Sequence, residues 1–122
     1  MPRDKGDAGL LLDMRNAAEA VTRFISGKSE QEFNSDEVLR SAVERKVEVI
    51  GEAACGISDA FQDAHPEIAW RKIMATRHIL AHHYDEVNIS IVWRIATVYV
   101  PELVSLIAPL IPPTPAEAEP KP

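Results

Sequence analysis

The stretch HPEIAWRKIMATRHILAHHYDEVN, running from His65 to Asn88, decides how this chain folds. Read as a helix, it places Trp70, Ile73, Met74, Leu80 and Ala81 on one stripe at three- and four-residue spacing, which predicts that this stripe faces the core. Arg77 falls in the middle of the stripe. A guanidinium at such a position requires a carboxylate, a phosphate or a second subunit, because a lone buried charge is strongly unfavourable.

The polar residues that follow sharpen the requirement. At about 100° per residue, Tyr84 lies only ~20° from Arg77 around an ideal helix, whereas His82 points ~140° away. One straight helix cannot aim all three side chains at one atom. Either the helix loosens between Ala81 and Tyr84, or a working site combines side chains from two copies of the chain.

Outward from this stretch, the periodicity predicts helices on both sides. Leu10 to Ile25 is amphipathic, with Leu11, Met14, Ala18 and Val21 on its apolar face and Gly27 as the stop. A polar connection, Lys28 to Asn34, carries Phe33, which is expected to tuck back on the core. Ser35 or Asp36 can cap a second helix reaching to about Gly56. In it Gly51, Ala53, Ala54 and Gly56 would let a neighbouring helix approach closely. Glu44, Arg45, Glu48 and Glu52 lie three and four residues apart, which reads as a solvated ion-pair face; the functional alternative has Glu48 or Glu52 reaching inward to hold Arg77.

Ile57 to Ala64 reads as a loop or a short helical turn, and Pro66 suits the first position of the third helix. Asn88 is a good cap for a fourth helix, Ile89 to Leu110, expected to kink at Pro101. Apolar residues on nearly every side of that helix, Ile91, Trp93 and Val98 among them, imply burial on a second face and hence a subunit interface. The expected fold is all-α: an antiparallel bundle of four main helices with a fifth short one, homodimeric. Residues 1–110 form the helical domain, and residues 111–122, Pro-rich and acidic, form a disordered tail.

Composition narrows the function. With 46% hydrophobic residues in 122, the chain is an ordinary single domain rather than a disordered segment. No apolar run approaches the ~20 residues that span a bilayer, and no apolar leader follows the amino terminus, so a cytoplasmic protein that does not engage membranes is expected. The formal charge of −6 argues against a wide nucleic-acid-binding surface, though not against a small local site. The single cysteine, Cys55, among Ala53, Ala54, Gly56 and Ile57, reads as a small buried thiol.

Two chemistries fit the polar residues. RNA cleavage by attack of the ribose 2′-hydroxyl on the adjacent phosphate needs a proton acceptor and donor, a role matched by histidine, and a cation for the phosphorane, matched by the arginine fork. Arg77, His82 and Tyr84 supply these types, with His78 and His83 beside them and Asp85 and Glu52 as supporting candidates. The bland alternative is an arginine in a core ion pair and histidines at a helix end. A metal site is the second possibility: His78 and His82 are four apart, and Asp85 or Glu86 could supply an oxygen ligand, but the glutamate that a metalloprotease helix carries directly after its first histidine is missing.

RHILAHHY, Arg77 to Tyr84, has the form R-x4-H-x-Y and closely resembles the signature of the HEPN superfamily, specifically the HepT-like toxins of prokaryotic toxin–antitoxin pairs. The likeness extends to Asp13 and Met14, AVERKVEVIGEA at Ala42 to Ala53, HPEIAW at His65 to Trp70, VNISIVW at Val87 to Trp93, and VPEL at Val100 to Leu103. It implies an all-helical homodimer acting as a metal-independent endoribonuclease without a cofactor, with Arg77 and His82 of both subunits facing a shared cleft. It also implies a partner, an MntA-like nucleotidyltransferase antitoxin that attaches AMP to the motif tyrosine, here Tyr84. In one respect the chain departs from the pattern: the family often has asparagine after the arginine, where this chain has His78. A non-catalytic module that only binds the nucleotidyltransferase is the alternative, and the acidic balance gives it some weight.

Overall fold

The computed structural model describes residues 6–81 and 86–113, with side chains for all of these except residues 78, 79, 81 and 86–88. Every regular element among them is helical. The order is α1 (Gly6–Ile25), α2 (Glu30–Ser35), α3 (Glu37–Gly56), α4 (Asp59–Ala64), α5 (Trp70–Ala81), α6 (Glu86–Arg94) and α7 (Val100–Ile107).

Each boundary has a local cause. Gly27 takes a φ of +75° just past α1, the left-handed stop that only glycine adopts freely. In the connection expected to be merely polar, Ser29 and Glu32 form a capping box: the Glu32 N–H donates to Ser29 Oγ at 3.1 Å, and the Ser29 N–H donates to Glu32 Oε1 at 2.9 Å. That box starts α2, whose one buried side chain is Phe33. Asp36 ends α2 and caps α3, its Oδ1 accepting the Leu39 N–H at 3.0 Å. Ser58 caps α4 in the same way.

The third long helix begins four residues later than Pro66 predicts, at Trp70. Ile68 and Trp70 are both buried, and a helix would turn residues two apart to nearly opposite sides. The chain therefore turns here instead, with the Trp70 N–H on the Ile68 carbonyl at 2.9 Å and the indole Nε1 on the His65 carbonyl at 3.0 Å.

At the carboxyl end, α6 and α7 are joined by a π turn, Ile95–Tyr99, in which Val100 donates its N–H to the carbonyl of Ile95, five residues back. Pro101 explains it. In an α-helix its ring would press on the Thr97 carbonyl, and it has no N–H to offer; a wider turn relieves the first problem and accommodates the second. By length and composition, Ile89–Leu110 is apolar enough to cross a membrane, yet Val92, Ala96, Val100, Leu103 and Ile107 form a stripe buried in the protein's own core.

α1 packs against α3 and α7, α3 against α5, and α2 against α6, where Phe33 meets Trp93 with ring centroids 5.2 Å apart. α1 and α3 run in opposite directions, because the start of α1 meets the end of α3. There Asp7 accepts the Ser58 N–H at 2.8 Å and its hydroxyl at 2.7 Å, and Leu10 lies against Gly56. These two bonds hold the Asp7 carboxyl below its ordinary range, the backbone N–H contributing most.

Candidate functional site

The centre of interest is where α5 crosses α3. Trp70 and Leu80 are buried and Ile73 and Met74 partly so, which matches four positions of the predicted stripe; the side chain of the fifth, Ala81, lies outside the described residues. Arg77 shares that stripe by angle, but its residue is exposed. The side chain is long enough to reconcile the two facts, with its stem packed and its head in water. A Cβ placed on the buried Gly51 would come within 3.0 Å of Arg77 Cγ, 3.2 Å of Thr76 Oγ1 and 3.3 Å of the Ile73 carbonyl oxygen. Gly51 is thus the point of closest approach expected from the small residues of α3.

The guanidinium ends on sulfur. Arg77 Nη1 donates to Cys55 Sγ at 3.4 Å. Cys55 is exposed, which corrects its reading as a buried thiol. Its small apolar neighbours point elsewhere: Ala54 is fully buried, whereas Cys55 continues, three and seven residues on, the solvent-facing line of Glu52 and Glu48.

Those two glutamates do not hold Arg77. Arg45 Nη1 lies 2.8 Å from Glu48 Oε1 and 3.8 Å from Glu52 Oε1, so the ion pairs form along the face of α3 as the spacing predicts. Among the described residues no carboxylate pairs with Arg77. One of its five N–H donors meets the thiol, and no described carboxylate offsets its charge. This is an arrangement that can receive an anionic oxygen pair.

The partner for Arg77 was not anticipated from sequence. The available signal was positional: Gly51 and Cys55 are four apart, so they share one face of α3. Of the other predicted site residues, Glu52 lies one turn before Cys55, and His78 follows Arg77 on α5 with its side chain outside the described residues. His82, His83, Tyr84 and Asp85 lie outside the described residues altogether. No three potential metal ligands come together among the described residues.

Comparison with known proteins places this geometry in context. A family model described as ribonuclease HepT-like matches residues 14–110, a span that contains Gly51, Cys55 and Arg77. The chain is 33% identical over 93 residues to a Thermococcus cleftensis protein named "Probable ribonuclease HepT", covering 76% of this chain and 84% of the relative. Two Methanocaldococcus jannaschii proteins, each named a "Putative RNase", are 31% identical: one over 93 residues (76% of this chain, 85% of the relative) and one over 111 residues (91% of each). No solved structure gives a significant match.

Proposed function

Because this chain belongs to the ribonuclease HepT-like family of the HEPN superfamily, we propose that it is a metal-independent endoribonuclease, the toxin of a toxin–antitoxin pair. In this reading two copies of an antiparallel four-helix bundle face each other in the cytoplasm, and RNA binds in the cleft between them. His82 transfers the proton of the attacking 2′-hydroxyl or of the leaving oxygen. Arg77 stabilises the charge that builds on the phosphate. Tyr84 orients the substrate and is the residue on which a nucleotidyltransferase antitoxin places AMP, adding negative charge and bulk beside Arg77.

The observation that carries this reading is the state of Arg77: exposed, bonded to a neutral thiol, and unpaired with any described carboxylate. An arginine kept for stability would be expected to face Glu48 or Glu52, the glutamates of α3 nearest to Cys55, yet Arg45 occupies those two. A second copy has a surface to meet as well. Ile91 and Val98 on the α6–α7 rod, two of the residues that the helical periodicity leaves off the core stripe, are 36% and 48% exposed, and Tyr99, which the periodicity puts on that stripe, is 52% exposed as well.

The test is His82→Ala in the full chain. The variant is expected to keep the helical content and assembly state of the parent while losing RNA cleavage by at least about a hundredfold, the usual contribution of a general acid or base. A purified variant that cuts RNA at the parental rate removes His82 from the chemistry. Intact mass after co-expression with a nucleotidyltransferase, and the position of any added AMP, tests the role of Tyr84.

A further inference from the structure

Arginine is the natural partner of aspartate and glutamate, so the company Arg77 keeps is informative. α3 offers Glu48 and Glu52 within a turn or two of Cys55, and both are engaged by Arg45. What α3 presents to Arg77 instead is a residue with no side chain and a residue with a neutral one. Gly51 lets the stem lie flat against the helix, with Cγ at the 3.0 Å limit of what any Cβ could tolerate. Cys55, one turn on, accepts a single N–H at 3.4 Å.

We infer that Gly51 and Cys55 form a neutral seat that aims the Arg77 guanidinium while leaving its positive charge free for a phosphodiester. The inference rests on the reading of Arg77 as the cation that meets RNA. Gly51 and Cys55 are positioning residues and touch no substrate themselves. The physical point is the separation of two tasks. A carboxylate at position 55 would also orient the guanidinium, through stronger charge-assisted bonds, but it would neutralise the group and compete with phosphate for its donors. A thiol orients it weakly and does not neutralise it. Arg45 completes the device, because it keeps the carboxylates of Glu48 and Glu52 occupied.

The experiment compares Cys55→Asp with Cys55→Asn, two side chains of nearly equal shape that differ in charge, in the full chain. Each is made with Arg77 intact and with Arg77→Ala. Dissociation constants are measured by fluorescence anisotropy with an RNA oligonucleotide carrying 2′-O-methyl groups, which cannot be cleaved by internal attack. With Arg77 intact, Cys55→Asp is expected to bind RNA about three- to fivefold more weakly than Cys55→Asn, the effect of one exposed ion pair. With Arg77→Ala the difference is expected to vanish.

The same cycle read by urea unfolding needs no RNA: Cys55→Asp should have a higher midpoint than Cys55→Asn only while Arg77 is present. A difference in RNA binding that persists without Arg77 shows direct repulsion of RNA by the carboxylate and overturns the seat. Equal midpoints and equal affinities for the two variants with Arg77 intact also overturn it. Failure of the underlying reading looks different: the Arg77→Ala chain would cleave and bind RNA as the parent does.

Discussion

Gly51→Ala puts the crossing of α3 and α5 to a quantitative test. In an isolated helix the change would stabilise by about 0.5–1 kcal/mol, because alanine loses less backbone freedom than glycine. Here the new methyl would meet three atoms at once: Arg77 Cγ at 3.0 Å, Thr76 Oγ1 at 3.2 Å and the Ile73 carbonyl oxygen at 3.3 Å. The first two can yield by side-chain rotation. The third is backbone, already bonded to Thr76 Oγ1 at 2.6 Å, and it moves only if α5 lifts from α3. Overpacking of this kind costs about 1–3 kcal/mol, which exceeds the propensity gain and leaves a net loss of about 0.5–2 kcal/mol.

For a domain this size, with a urea slope of about 1–3 kcal/mol per molar, a 1 kcal/mol loss lowers the midpoint by about 0.3–1 M. Far-UV circular dichroism against urea reads it, at one protein concentration, because any self-association would otherwise shift the curve. Gly56→Ala is the control. Its methyl would meet only Leu10, with the mobile Cδ1 nearest at 3.0 Å, so its midpoint should move by no more than the equivalent of about 0.5 kcal/mol. A Gly51→Ala chain as stable as the parent, or more so, would refute the close approach and with it the seat for Arg77.

Further outcomes follow from packing and charge. Phe33→Ala should cost about 3–5 kcal/mol, a large share of the total stability of a small domain, because Phe33 is fully buried against Trp93 and is the one buried side chain of α2; calorimetry or urea unfolding reads it. Asp7 has a folded-state pKa below its ordinary value because it accepts two bonds from Ser58, so its contribution is present above the unfolded value, near pH 4, and is lost as pH falls through the folded one. Asp7→Asn should therefore lower the melting temperature at neutral pH, and the gap to the parent should close on acidification. A gap that stays constant down to pH 2 would mean that the Asp7 charge has no part in it.

Much of this molecule was legible in its sequence, for reasons that differ by element. The ends of α1 and α3 were readable because Gly27 and Asp36 act locally, through a left-handed backbone and a side-chain cap. The family was readable because R-x4-H-x-Y and its companions keep their order. α2 was written in Ser29 and Glu32, but a capping box inside a polar stretch is easily passed over when apolar periodicity is the guide. The late start of α5 was not legible, because it depends on Ile68 and Trp70 competing for the same interior. The exposure of Arg77 could not be read from angle alone: helical phase says where a Cα points, not how far a four-atom stem reaches past it. Cys55 was misjudged from the size and polarity of its neighbours, when its register with Glu48 and Glu52 was the better guide.

The π turn before Pro101 has a consequence for which changes in chain length this protein can absorb. Leu103 and Ile107 are buried, and α7 packs against α1. The turn holds one residue more than an α-helix needs over the same arc, so deleting one residue of Ile95–Tyr99 would let an α turn close with Leu103 and Ile107 still facing their neighbour, at the expense of pressing the proline ring on a carbonyl. An insertion finds no such slack and would swing everything downstream by about 100°. The segment therefore acts as a one-residue slack in the rod, able to give a residue up but not to take another in.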